Sequence, residues 1–158
     1  MPDLCARVNG LSALNMPSFL MPTADHCRLH AARLLPAQEL RSEIEKLSAL
    51  ASIRAGFVLS AVGSLTKVAL RLANQKDAHK MEGHFEILSL TGTLGPDGLH
   101  LHMAVSDEKG VTTGGHAVEG CVVFTTVELV LVEAMGLIFH RETDPRTTFK
   151  ELSILRAQ

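Results

Sequence analysis

The chain has no surplus of positive charge: 15 lysines and arginines stand against 17 acidic residues over 158 positions, a formal charge of −2. Proteins that grip a phosphate backbone cluster Lys and Arg to neutralise it, so this composition does not select nucleic acid as a partner. Cysteine is scarce as well. Cys5, Cys27 and Cys121 are odd in number and form no C-x-x-C pair, which argues against a disulfide framework and against a thiolate zinc site. A reducing compartment fits, and the cytoplasm is the expected location, with the nucleus as an alternative.

Long uninterrupted apolar runs are also missing. Val118 to Phe139 comes closest, but Glu119, Glu128 and Glu133 interrupt it, and each would be costly in hydrocarbon. The segment reads as buried strand, with no membrane partner. The first 25 residues lack a basic n-region, and Asn9, Asn15 and Pro17 break their apolar stretch, against a secretory signal; Arg7 and the few acids leave an organellar presequence as a weaker alternative. G-x-S-x-G, G-x-x-x-x-G-K-[ST] and G-x-G-x-x-G are all absent, which removes hydrolase-elbow, P-loop and Rossmann readings.

What is present suits one packed domain: 46% of the residues are hydrophobic, an ordinary fraction for a single core. Residues 1–25 hold three of the six prolines without helical or strand period, so they read as a flexible extension, with the folded domain over 26–158. Leu29 to Leu35 reads as a first strand. After Pro36, Leu40, Ile44, Leu47 and Ala51 recur at helical steps opposite Glu39, Arg41, Glu43, Glu45 and Lys46, which predicts an amphipathic helix over 37–52. Gly56 and Gly63 bracket a short buried strand, and 68–72 alternates as a half-solvated one. Strand character continues over 84–94, 99–106 and 116–132, and Phe149 to Leu155 reads as an edge strand. The expected class is α+β: a mostly antiparallel sheet with one main amphipathic helix.

His100 and His102 are two apart on a predicted strand, so they share one face while Leu99, Leu101, Met103 and Val105 anchor the other. Imidazole suits zinc and related divalent metals, and a catalytic zinc commonly takes three protein ligands and leaves a fourth position open. His116 is the candidate third ligand, conditional on register. If Ala104 pairs with His116, His116 lies diagonal to His102 at roughly 7 to 8 Å; a slip of one residue would send it to the other face. Gly114 and Gly115, just before it, suit a cofactor-lining turn through positive φ or close approach. Three hydrogen-bonded structural histidines are the competing reading.

Glu86 stands in the apolar strand FEILSL, where a carboxylate is costly to bury unless paired or protonated, and is the candidate acid or base. Satisfaction by an arginine or by backbone amides is the alternative. Glu119 would need a bulge near Gly120 to reach His116. Cys121 reads as a small core residue.

Taken in order, LLPAQEL, FVLSAVGSL, FEILSLTGTL, GLHLHMAVSD and GGHAVEGCVVFTTVEL, the chain resembles the plant and prokaryote conserved (PPC) domain over about residues 28 to 155. It departs at Ala37, where the family often has glycine. The resemblance implies a mixed α/β domain that associates as a homotrimer, with the histidines near a concave surface between subunits. Plant relatives carry AT-hooks and bind AT-rich DNA in the nucleus; this chain has no R-G-R-P hook, so DNA is not an expected partner. The fold is also similar to acetolactate decarboxylase and to a group of zinc-dependent ester hydrolases, both of which use three histidines on a metal. The expectation is therefore a stand-alone homotrimer with zinc or another divalent metal on His100, His102 and His116, acting on a small oxygenated substrate. A non-catalytic trimeric interaction module and a DNA-associated protein are the alternatives.

Overall fold

The structure is a computed structural model, and it describes residues 22–157. All but the last four residues of the expected extension therefore lie outside the described residues. Eight strands and one helix follow in chain order: β1 (Cys27–Leu34), α1 (Leu40–Leu50), β2 (Gly56–Arg71), β3 (Ala78–Gly95), β4 (Gly98–Asp107), β5 (Thr112–Ala117), β6 (Val122–Ala134), β7 (Leu137–Thr143) and β8 (Lys150–Arg156). β1 to β6 form one antiparallel sheet in the order β1-β6-β2-β3-β4-β5, and β7 and β8 form a separate hairpin. The sheet curls back on itself, because β5 pairs with β4 and also with the last two residues of β2. The class is α+β and mostly antiparallel, as the alternating apolar patterns predict.

The core follows from the same patterns. Leu101, Met103 and Val105 of β4 are fully buried, and they meet Leu65, Val68 and Leu70 of β2 and Val123, Val127 and Leu129 of β6 in one cluster. α1 lays Leu40 and Ile44 into that cluster, with Leu47 packed at its edge.

The helix starts later than the periodicity predicts. Ala37 has a φ of 68°, a left-handed conformation that cannot continue into a helix, so Glu39 becomes the N-cap. Its carboxylate accepts hydrogen bonds from the Ser42 amide at 2.7 Å and from the Gly120 and Cys121 amides at 3.1 Å each. One side chain thus ties the helix start to the turn that follows β5. Burial raises the Glu39 pKa, but these hydrogen bonds outweigh it and hold the carboxyl below its ordinary range.

Three strand boundaries differ from expectation. Gly63 lies inside one long β2 and does not end a strand: a Cβ there would stand 2.1 Å from the Thr126 carbonyl oxygen, so glycine permits a close strand approach. The segment expected as one strand over 116–132 is two, β5 and β6, separated by the turn at Val118–Cys121. The last strand pairs with β7 in its own hairpin and does not extend the main sheet. Val118 to Phe139 is strand and turn, and no helix among the described residues is long and apolar enough to cross a membrane.

Candidate functional site: three histidines under an arginine

β4 and β5 pair so that His102 stands directly opposite His116, with Ala104 opposite Gly114. The register differs by two residues from the Ala104 to His116 pairing considered above. Because the side-chain period is also two, the face is conserved and His116 comes closer than a diagonal neighbour would. His100, His102 and His116 therefore converge: their ligand-capable atoms all lie within 4.8 Å of one another, and the Nε2 atoms of His100 and His102 are 3.2 Å apart. His100 and His116 are half-buried and His102 is exposed.

The rings sit in a positive environment. Burial pushes the His116 pKa down to about 4, helped by the charges of His100 and Arg71. Burial also lowers His100, with Arg141 and His102 adding to the effect. Both imidazoles are therefore neutral near pH 7, the form in which imidazole binds a metal. Nitrogens on one tetrahedral zinc stand about 3.3 Å apart for bonds of about 2.0–2.1 Å; the His100 to His102 spacing already matches. The donor set thus fits a divalent cation.

One contact competes with it. The Arg141 guanidinium reaches over from β7, donating to His100 Nδ1 at 3.1 Å and to Thr93 Oγ1 at 2.7 Å. A guanidinium has no acceptor, so in this arrangement Nδ1 of His100 is the acceptor and its Nε2 carries the proton. β7 is held in place by Asp97, which accepts from the Arg141 amide and pairs with His140 Nδ1, each at 2.9 Å. Arg71 on β2, Lys150 and Glu151 on β8 and Phe149 complete the wall of an open cavity of about 470 Å³ around the histidines.

The other sequence candidates lie elsewhere. Glu86 is exposed, opposite Ser64 and Ser106; its strand turns alternate side chains outward, so the carboxylate is solvated and the structure does not bring it to the histidines. Gly114 and Gly115 lie within β5, not in a turn, and do not line the cavity. Gly115 serves close approach instead: a Cβ there would be 2.9 Å from the Arg71 carbonyl oxygen. Glu119 is an exposed turn residue, and Cys121 is buried in the core, where burial raises its thiol pKa. Arg71, Arg141 and Glu151 escaped the sequence reading, because their approach depends on the β2–β5 closure and on the packing of the β7–β8 hairpin.

Residues 21–135 match the family model of the Plants and Prokaryotes Conserved (PCC) domain. The chain belongs to this family. The PCC span contains the histidines and Arg71 but ends before β7, so Arg141 and the hairpin lie beyond it. Among solved structures, a hypothetical protein from Salmonella cholerae-suis is 43% identical with a TM-score of 0.84, covering 86% of this chain and 99% of that one. A metal-containing protein from Archaeoglobus fulgidus shares the fold at 23% identity and a TM-score of 0.71, covering 87% of this chain and 99% of that one. Other fold neighbours are described as candidate DNA-binding proteins. The bifunctional protein GlmU of Synechococcus sp. (strain JA-3-3Ab) is 46% identical over 145 residues, which are 92% of this chain but only 23% of that protein. This PCC chain therefore spans about a quarter of the length of that curated relative.

Proposed function

We propose that His100, His102 and His116 hold zinc or another divalent cation, and that this PCC domain, as a homotrimer, acts on a small oxygenated molecule admitted by the cavity. The observation that carries this reading is the convergence of three ring nitrogens within 4.8 Å on one strand pair. The metal-containing Archaeoglobus fulgidus neighbour of the same fold adds support. When bound, the cation would polarise a carbonyl or lower the pKa of a water. The chain supplies neutral imidazoles to hold it, while β7 and β8 wall one side of the cavity. Glu86 lies outside this cavity; within one protomer the carboxylate available to exchange a proton there is Glu151.

The test is elemental analysis of purified protein beside His102→Ala, a substitution at an exposed position. The expected result is one zinc, iron or nickel per wild-type chain and close to none in the variant. Wild-type protein that contains no cation and takes up no added zinc would overturn the reading.

A second reading, a trimeric interaction module without catalysis, is favoured by the exposed apolar side chains Leu59, Val62, Leu88 and Phe124 on β2, β3 and β6. It predicts unchanged partner binding when all three histidines become alanine. DNA binding has less support, given the charge of −2; a salt-dependent shift on AT-rich duplexes would restore it.

A further inference from the structure

The charges around the histidines do not balance once a cation is considered. Imidazole binds a metal in its neutral form, so three such ligands leave a dication with its full charge, and Arg71, Arg141 and Lys150 share the cavity wall. Against them stand Glu151 and Asp97, and Asp97 is already engaged by His140 and the Arg141 amide. Among the described residues Arg71 makes no salt bridge, and the Arg141 guanidinium hydrogen-bonds to neutral groups, a ring nitrogen and a hydroxyl, with no salt bridge of its own. Guanidinium groups left without a carboxylate in a half-enclosed cavity are fitted to receive one from a ligand.

The His100 contact sharpens this. Should His100 ligate through Nε2, its Nδ1 carries the proton and faces a donor; should it ligate through Nδ1, the lone pair that Arg141 uses is taken. In either case the Arg141 hydrogen bond to His100 is lost on cation loading, and the guanidinium is freed beside the site. Phosphate sites commonly use a helix N-terminus or a nest of backbone amides. Here the histidines and both arginines lie on strands, and the α1 N-terminus is closed by Glu39.

Resting on the metal reading above, we propose that the ligand of this cavity is a small carboxylic acid anion, gripped by Arg71 and Arg141, with Arg141 exchanging its bond to His100 for the ligand carboxylate. Arg71 and Arg141 are thus specificity residues. Because Arg141 lies beyond the matched PCC span, this part of the recognition belongs to the β7–β8 hairpin.

The test loads chelator-stripped protein with cobalt(II) and titrates glycolate, following the visible cobalt spectrum and calorimetric binding, for wild type, Arg71→Met and Arg141→Met. The expected result is one cobalt per chain in all three, a glycolate-dependent spectral change in wild type, and glycolate binding weakened at least tenfold in each variant. Cobalt should also bind more tightly to Arg141→Met, which no longer competes for His100. Arg71 is exposed, so its variant reports even if loss of Arg141 disturbs the hairpin. Cobalt binding with no response to glycolate, or with arginine variants that bind it as wild type does, overturns this inference and leaves the metal reading intact. Failure of cobalt to bind overturns the metal reading and this one with it.

Discussion

Glu39 and Cys121 are joined by a hydrogen bond in which the Glu39 carboxylate accepts from the Cys121 amide at 3.1 Å, and the amide of the next residue, Leu40, donates to the Cys121 carbonyl at 2.8 Å. The helix start and the turn after β5 are therefore one unit. Glu39→Ala removes an N-cap and two turn anchors, and we expect a loss of about 2.5–4 kcal/mol of stability, from ~1 for the cap and about 1.5–3 for the two turn bonds together, which share one carboxylate oxygen. Urea denaturation checks it, with Glu39→Gln expected to lose less. Since the folded pKa of Glu39 is lowered, its contribution is full above the ordinary carboxylate range and fades as the pH falls through the lowered value.

His116 gives the opposite group the same sign. Its pKa falls from 6.5 unfolded to about 4 folded, so the unfolded chain binds more protons in that interval and metal-free protein loses stability as the pH drops from about 6.5 to about 4. His116→Gln should flatten that slope, as measured by urea midpoints at a series of pH values. A slope unchanged by the substitution would assign the acid sensitivity to other groups.

Ala37 stands where glycine is the natural choice. A left-handed alanine costs about 1–2 kcal/mol relative to its preferred conformations, and glycine gives back roughly 0.4–1 through the freedom it adds to the unfolded chain. Ala37→Gly should therefore raise stability by about 0.5–1 kcal/mol, seen as a higher urea midpoint with unchanged slope.

Val62 and Leu88 are exposed at 61% and 56%, more than two large aliphatic side chains on facing strands need to be for folding alone. If they lie in the subunit contact of a homotrimer, Val62→Glu combined with Leu88→Glu should yield a monomer by sedimentation equilibrium with an unchanged circular dichroism spectrum. A wild-type monomer would refute the homotrimer outright.

Strand periodicity was enough to place His100 and His102 together and to bury Leu101, Met103 and Val105 behind them, because a period of two is a local property. The spacing of Leu40, Ile44 and Leu47 marked the buried side of α1 for the same reason. His116 was a candidate conditional on register, and both its face and its distance from His102 had to await the pairing of β4 with β5. What could not be read were relationships set by distant chain. The role of Gly63 depends on Thr126 approaching it, and that of Gly115 on the Arg71 carbonyl. Arg141 reaches His100 only because β7 pairs with β8 and is anchored on Asp97. Glu39 read as one more charge on the solvated face of a helix, until the turn at Gly120 came to meet it.

The closure of the sheet at the histidines has a kinetic meaning. β5 meets β2 through two residue pairs, Leu70 with Ala117 and Arg71 with His116, whereas eight pairs join β1 to β6. So short a seam unzips at far lower free energy than the whole domain, and it can do so while β4 and β5 stay zipped together. Parting of that seam separates Arg71 from His116, so this side of the open cavity is expected to loosen well before global unfolding comes into play.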